Sequence, residues 1–302
     1  LMLEWLLPHT GPGWNWRLVF LVFALPGLLW AVAFWFWFRD EPREHPAVNA
    51  AERALIEGGS APPARAGGFQ PPSVAPVAEQ SGGWKPPAPP TPWLGLFSSP
   101  ALWWICGQQM FRGAGYMFFT SWFATYLQET RGVSIARSGF LNMLPLLAVV
   151  VGGMAGGAFS DWLLKRTGSR RIARQGMGAV CLFTCAQLIF WAMFIGDTLA
   201  AVLVISLGSF FAALAGPCAY TITIDMGGAQ VPTVNATMNM MGNLGAWAFP
   251  VVVPWLLTRF GSWDAVLVVF CGCYVAGALF WLLLKPEGTI LDQSLVREKS
   301  SS

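Results

Sequence analysis

Apolar residues run along this chain in long blocks, without the three-to-four-residue rhythm of a water-facing helix or the alternation of a half-buried strand. Seven blocks are long enough to cross a bilayer as helices: Leu18 to Phe38, Leu102 to Leu127, Phe140 to Ser160, Gly176 to Ile195, Leu199 to Ile224, Met238 to Leu257 and Ala265 to Leu284. A helix satisfies its own backbone hydrogen bonds, which lipid cannot do, so the pattern predicts an all-α polytopic membrane protein. Between the first two blocks the pattern changes. Arg39-Asp40-Glu41-Pro42 ends the apolar run, and Asn49 with Glu52 can form a capping box for a short helix. Val48, Leu55 and Ile56 would lay that helix along the inner membrane surface. Gly58 to Pro92 is rich in Gly, Pro, Ala and Ser and poor in branched aliphatics, the composition of a flexible linker.

One block departs from the rule of exclusion. Arg112 lies about ten residues into its apolar run, roughly 15 Å deep at 1.5 Å per helical residue, near the middle of a hydrocarbon core about 30 Å thick. A guanidinium there costs at least about 2.5–3.5 kcal/mol, and arginine does not lose its proton at accessible pH. Gln108, Gln109 and Tyr116 lie one turn to either side, with Gly115 and Thr120 near the same stripe. These groups converge on one face, which is expected to look into protein or water and to meet an anion.

The composition agrees with a membrane protein: 55% of the 302 residues are hydrophobic and 11% charged. The charges sort by side. Thirteen basic residues (Arg39, Arg43, Arg53, Arg65, Lys85, Lys165, Arg166, Arg170, Arg171, Arg174, Lys285, Arg297 and Lys299) fall on one set of connections, against Arg131, Arg137 and Arg259 on the other, with Arg17 at the first boundary. The positive-inside rule then sets the Pro-rich connection and the C-terminus in the cytoplasm and the N-terminus outside, in the cell membrane. A net charge of +3 is accounted for by this topology and implies no nucleic-acid partner. Cys106, Cys181, Cys185, Cys218, Cys271 and Cys273 all fall within spans, so neither a disulfide framework nor a metal site is expected, and no cofactor is implied. The chain opens with an apolar stub, Leu1 to Leu7, that reads as the end of an earlier span.

Three further patterns carry candidate chemistry. Gly152 with Gly156 and Gly153 with Gly157 are small-xxx-small pairs that let another helix approach. Asp161 would stand at the inner membrane face, followed by Lys165-Arg166-Thr167-Gly168-Ser169-Arg170-Arg171, where arginines can pair with acids across an interface. Asn235, Asn239 and Asn243 repeat every four residues, with Gly242 adjacent, so three amides share one face and could hold a polyhydroxy or carboxylate ligand or bind a neighbouring helix. Pro250 and Pro254 should loosen the same helix. Ser206, Ser209, Gly216, Pro217, Tyr220 and Thr223 form a looser polar line that suits packing, and Gly216-Pro217 should bend or break its helix. Asp225 follows at the cytoplasmic end, a position that suits a cap, an ion pair or a proton carrier. Trp103, Trp104, Trp122, Trp255, Trp263 and Trp281 sit where indole anchors belong.

The Gly157-to-Arg171 stretch resembles the loop motif of major facilitator superfamily transporters, G-x-x-x-D followed by a basic G-x-R-R, with a longer gap between Asp161 and Gly168 than the usual form. Phe38-Arg39-Asp40-Glu41-Pro42, His45-Pro46, Val48-Asn49 and Glu52-Arg53 resemble the signature after the sixth helix in the anion:cation symporter branch of that family. This branch includes sugar-acid and other organic-anion permeases. The resemblance implies that the seven blocks are helices six to twelve of a twelve-helix fold. Residues 1–38 would end the N-terminal lobe, 39–100 form the cytoplasmic linker with its short amphipathic helix, 101–285 the C-terminal six-helix lobe and 286–302 a cytoplasmic tail. It also implies a missing N-terminal lobe that carries the proton-coupling acids.

The expected function is transport of a small organic anion, a sugar acid or other carboxylate, by proton symport and alternating access; the expected partners are that anion, protons, the lipid bilayer and the missing lobe. Arg112 would supply the fixed charge, while Gln108, Gln109, Tyr116, Asn239 and Asn243 orient hydroxyls or a carboxylate. Gly157, Asp161, Arg166, Gly168, Arg170, Arg171 and Asp225 would form the conformational loop. The alternative is a transporter-like sensor that binds an anion without moving it. An enzyme is not expected, since His9 and His45 lie outside the spans and no acid, His or Cys constellation forms within them.

Overall fold

The computed structural model describes residues 15–39, 46–49 and 93–291. They are helical, with short turns and no strand among the described residues. Contacts divide the chain into two units, residues 1–88 and 89–302. In the first, α1 (Asn15–Trp37) is apolar from Leu18 onward and accommodates Pro26. Most of the expected amphipathic helix and the linker, residues 50–92, lies outside the described residues.

The second unit opens with a short α2 (Trp93–Ser98). A single helical rod follows, made of α3 (Pro100–Met117), a π-helical turn at Phe118–Trp122 and α4 (Phe123–Arg131). Then come α5 (Ile135–Thr167), a π-helical segment at Arg171–Gly176 that leads into α6 (Met177–Ala192), and α7 (Thr198–Leu214). α8 (Gly216–Gly227), α9 (Val231–Phe260) and α10 (Trp263–Leu283) complete the unit.

Local chemistry sets these ends. Ser134 and Asp197 accept from the backbone N–H of Arg137 and Ala200 at 3.4 and 2.8 Å, opening α5 and α7. Gly168 closes α5 at φ 65°, a conformation that favours a residue without Cβ. Capped in this way, α5 runs 33 residues, well beyond its apolar block, with polar turns at both ends. The break anticipated at Gly216-Pro217 separates α7 from α8, because proline offers no N–H to continue the preceding ladder. α9 absorbs Pro250 and Pro254 without interruption.

Among the described residues five helical runs are long and apolar enough to cross a membrane: Phe20–Trp37, Ile135–Thr167, Arg171–Ala192, Thr198–Phe260 and Trp263–Leu283. The α3–α4 rod is not one of them, since Gln108, Gln109 and Arg112 interrupt its apolar sequence. Within the second unit α3 packs on α9 and α10, α5 on α7, and α6 on α7 and α10. An aromatic cluster at the π-turn locks α3 to α10: Phe118 lies tilted by 32° against Phe270 with centroids 4.4 Å apart, and Phe119 meets the same ring edge-on at 5.2 Å.

Candidate functional site: a half-cavity around Arg112

Two close helix crossings shape the central cavity. Gly113 faces the backbone of Gly242, and Gly245 faces that of Met110, so closely that a Cβ on either glycine would overlap the opposing carbonyl. α3 and α9 therefore approach to backbone distance and carry Arg112 and the Asn239–Asn243 pair to the same cleft. Gly152 and Gly156 meet the carbonyls of Phe210 and Leu214 in the same way, joining α5 to α7. Ser209 reinforces that pair by donating to the carbonyl of Pro145 at 2.9 Å. Gly153 and Gly157, the alternate small pair, do not pack; Gly153 lines the cavity, and a Cβ on Gly157 would touch only Pro217, at 4.0 Å.

The resulting cavity has a volume of about 690 Å³. α3 contributes Gln109, Arg112 and Tyr116; α9 contributes Asn239 and Asn243; α8 contributes Tyr220 and Thr221; and Tyr274 of α10 forms part of the wall. Arg112 is half-buried. Its Nε and Nη2 donate to Gln109 Oε1 at 3.2 and 3.1 Å, which holds the guanidinium with one edge occupied. Nη1 has no acceptor among the described residues and lies beside the Gly216 break, 3.6 Å from where a Cβ on that glycine would be. Asn243 Nδ2 donates to the carbonyl of Asn239 at 3.1 Å; both residues line the cavity, and their side-chain oxygens have no partner among the described residues.

Of the residues anticipated at the site, Gln109, Arg112, Tyr116, Asn239 and Asn243 line this cavity and Gln108 does not. Gln108 is fully buried, donating to the carbonyl of Ile105 at 3.0 Å and contacting Met238 Sδ at 3.9 Å. Spacing alone does not separate them, since Gln108 and Gln109 stand four and three residues before Arg112 and both fall on its face of the helix; Gln108 is taken up in the contact between α3 and α9, at Met238. Asn235 is not a lining residue either, and its Oδ1 is buried without a partner among the described residues. Tyr274 was not expected. It is buried beneath Gly115, whose missing side chain makes room for the ring, and that spatial pairing leaves no trace in a linear pattern.

At the opposite end of α5 a second polar centre forms. Arg174 Nη2 donates to Asp161 Oδ1 at 3.0 Å, and Arg174 Nε stands 3.5 Å from Asp225 Oδ2, a coulombic contact outside hydrogen-bond geometry. Arg174 Nη1 also donates to Ser160 Oγ, which in turn donates to the carbonyl of Ala173 at 2.9 Å. The arginine side chain is 7% exposed, against 19% for Asp225 and 59% for Asp161. Arg166, Arg170 and Arg171, the arginines expected to pair in this loop, are exposed and form no ion pair among the described residues. Arg174 lies on the buried side of the π-helical segment, which packs against α5 and α8. Gly168 serves as the cap already described.

All six cysteines are free. A multi-helix membrane protein with a cationic cavity bordered by amides and tyrosines is the class these features define. The Major Facilitator Superfamily profile matches residues 4–225, and the chain belongs to that family. The chain is 29% identical over 276 residues to the probable sulfoacetate transporter of Cupriavidus necator, covering 91% of this chain and 59% of that protein. It is 28% identical to the probable galactarate/D-glucarate transporter of Bacillus subtilis, covering 94% and 58%, and 25% identical to the hexuronate transporter of the same organism, covering 91% and 60%. The chain thus spans about three fifths of the length of these curated relatives. Family and relatives are transporters and not enzymes.

Proposed function

We propose that the chain is the C-terminal part of a transporter for a small organic anion, a sugar acid or related carboxylate or sulfonate, in the cell membrane. The observation that carries this reading is the Arg112 guanidinium, set toward the cavity with Nη1 unsatisfied among the described residues. A half-buried cation costs free energy unless an anion meets it, and a guanidinium edge suits a planar carboxylate. Tyr116, Asn239 and Asn243 supply further donors and acceptors for hydroxyl groups, while Gln109 holds the arginine in place. The relatives' names, sulfoacetate, galactarate, glucarate and hexuronate transporters, agree with an organic acid.

Seven crossings suit the helices: α1, the α3–α4 rod, α5, α6, α7 with α8, α9 and α10, with Gly228 at φ 54° reversing the chain inside the Thr198–Phe260 run. Residues 101–285 then form the C-terminal lobe, preceded by the last helix of the first lobe and a cytoplasmic linker, with N-terminus outside and C-terminus inside. The remaining lobe belongs to the full-length protein and carries the proton-coupling acids. Asp161, Arg174 and Asp225 tie α5, α6 and α8 together at the cytoplasmic end and act as the latch that alternating access must reorganise.

Counterflow of labelled sugar acids and sulfonates in proteoliposomes containing the full-length protein tests this. Arg112→Gln should weaken anion binding about ten- to a hundredfold, as for the loss of one charge-assisted contact, with Arg112→Lys intermediate. Undiminished binding in Arg112→Gln refutes the assignment. Binding without counterflow in the wild type would identify a receptor instead.

A further inference from the structure

A second groove, of about 700 Å³, shares no lining residue with the Arg112 cavity. Its walls are the C-terminal turns of α5 (Phe159, Leu163), the start of α6 (Val180), the end of α7 (Phe211) and Leu282 of α10. Val180 and Leu282 are more than half exposed, at 64% and 60%, so the groove opens away from the helix core. From Arg171 at its mouth to Val180 the groove runs about nine residues, at most roughly 14 Å because the first part is π-helical, within the depth of one leaflet of hydrocarbon.

Two polar side chains line the groove, Arg171 at its mouth and Gln175. Arg171 is exposed and forms no ion pair or hydrogen bond among the described residues. One turn deeper, Gln175 is 5% exposed; its Nε2 donates to the carbonyl of Leu282 at 2.9 Å, and its Oε1 is buried without a partner among the described residues. A buried amide oxygen left unpaired in an apolar groove signals an occupant that brings a donor or a water with it. Lys165, Arg166 and Arg170 are not among the lining residues, and Arg174 is already committed to Asp161 and Asp225, which leaves Arg171 as the cation of the groove.

We propose that this groove is a binding site for one anionic glycerophospholipid of the inner leaflet, its phosphate on Arg171, its hydrated glycerol region at Gln175 and an acyl chain along Phe159, Leu163, Val180 and Phe211. Length, charge and polarity all change along the groove as they do along such a lipid: cationic at the membrane surface, amide at the interface, then only hydrocarbon. A soluble protein partner would not enter at this depth, and a free phosphate would leave the apolar walls uncovered. The inference rests on the membrane orientation proposed above and not on the transport reading.

Native mass spectrometry of the delipidated full-length protein, titrated with phosphatidylglycerol or phosphatidylcholine of identical chains, tests it without any transport measurement. Wild type should retain phosphatidylglycerol about fivefold better, the preference that one arginine contributes near an anionic surface. Arg171→Gln should abolish that preference, Arg171→Lys should retain most of it, and Lys165→Gln should leave it unchanged. Val180→Trp, which fills the groove, should lower the binding of both lipids. Equal retention of the two lipids by wild type, an equal loss in Lys165→Gln and Arg171→Gln, or displacement of the lipid by inorganic phosphate would overturn the proposal.

Discussion

Replacing Arg174 by Gln removes the cation that stands between Asp161 and Asp225 while keeping most of the side-chain volume. The cost follows from where each acid sits. Breaking a fully buried pair costs about 3–5 kcal/mol, because the orphaned charge stays buried. Here Asp161, at 59% side-chain exposure, can exchange the arginine for water, so its share is close to that of a surface pair. Asp225, at 19%, cannot, and Ser160 also loses a charged donor. About 2–3 kcal/mol of destabilisation is therefore expected, roughly a 30- to 160-fold change in the unfolding constant. Reversible unfolding of the full-length protein in mixed micelles measures it. Asp225→Asn in the Arg174→Gln background should return about 1–2 kcal/mol, since the stranded charge is gone. A loss below about 0.5 kcal/mol for Arg174→Gln, or strictly additive single substitutions, would refute the bridging role.

Two packing predictions use the same unfolding assay. Gly156→Val should destabilise by about 1–3 kcal/mol or more, because its Cβ would overlap the Leu214 carbonyl, whereas Gly139→Val on the same helix meets nothing within 4 Å and should be tolerated; similar stabilities would contradict the close α5–α7 approach. Trp263→Phe should cost about 1–2 kcal/mol through loss of its indole donation to Glu129 Oε2 at 2.8 Å, and it should cost less when Glu129→Ala is already in place, equal losses in both backgrounds ruling out the bond.

That last contact illustrates what local pattern leaves out. Trp263 looks like an interfacial anchor by position, yet it is 7% exposed and bonded to a carboxylate distant in sequence. Arg174 is a sharper case. It stands among five basic residues that any topology rule counts alike, and nothing in their order distinguishes the one that turns inward. Arg174 sits in the π-helical segment, which packs against α5 and α8, and it is that packing across distant segments that sets it inside. Gln108 and Gln109 differ in the same sense: adjacent in sequence, one packs against Met238 and the other holds Arg112.

Properties set by composition and short-range order were legible from the sequence alone. The helical class, the apolar runs and the break at Gly216-Pro217 all follow from hydrophobicity and backbone chemistry within a few residues. Which polar groups share a cavity follows instead from which helices touch. The glycine contacts between α3 and α9, the ring of Tyr274 under Gly115 and the groove beside Arg171 exist only because segments distant in sequence approach to backbone distance. Hydrophobic burial is nearly direction-free and can be read along a line, whereas a site depends on angles and separations that only the packed helices define.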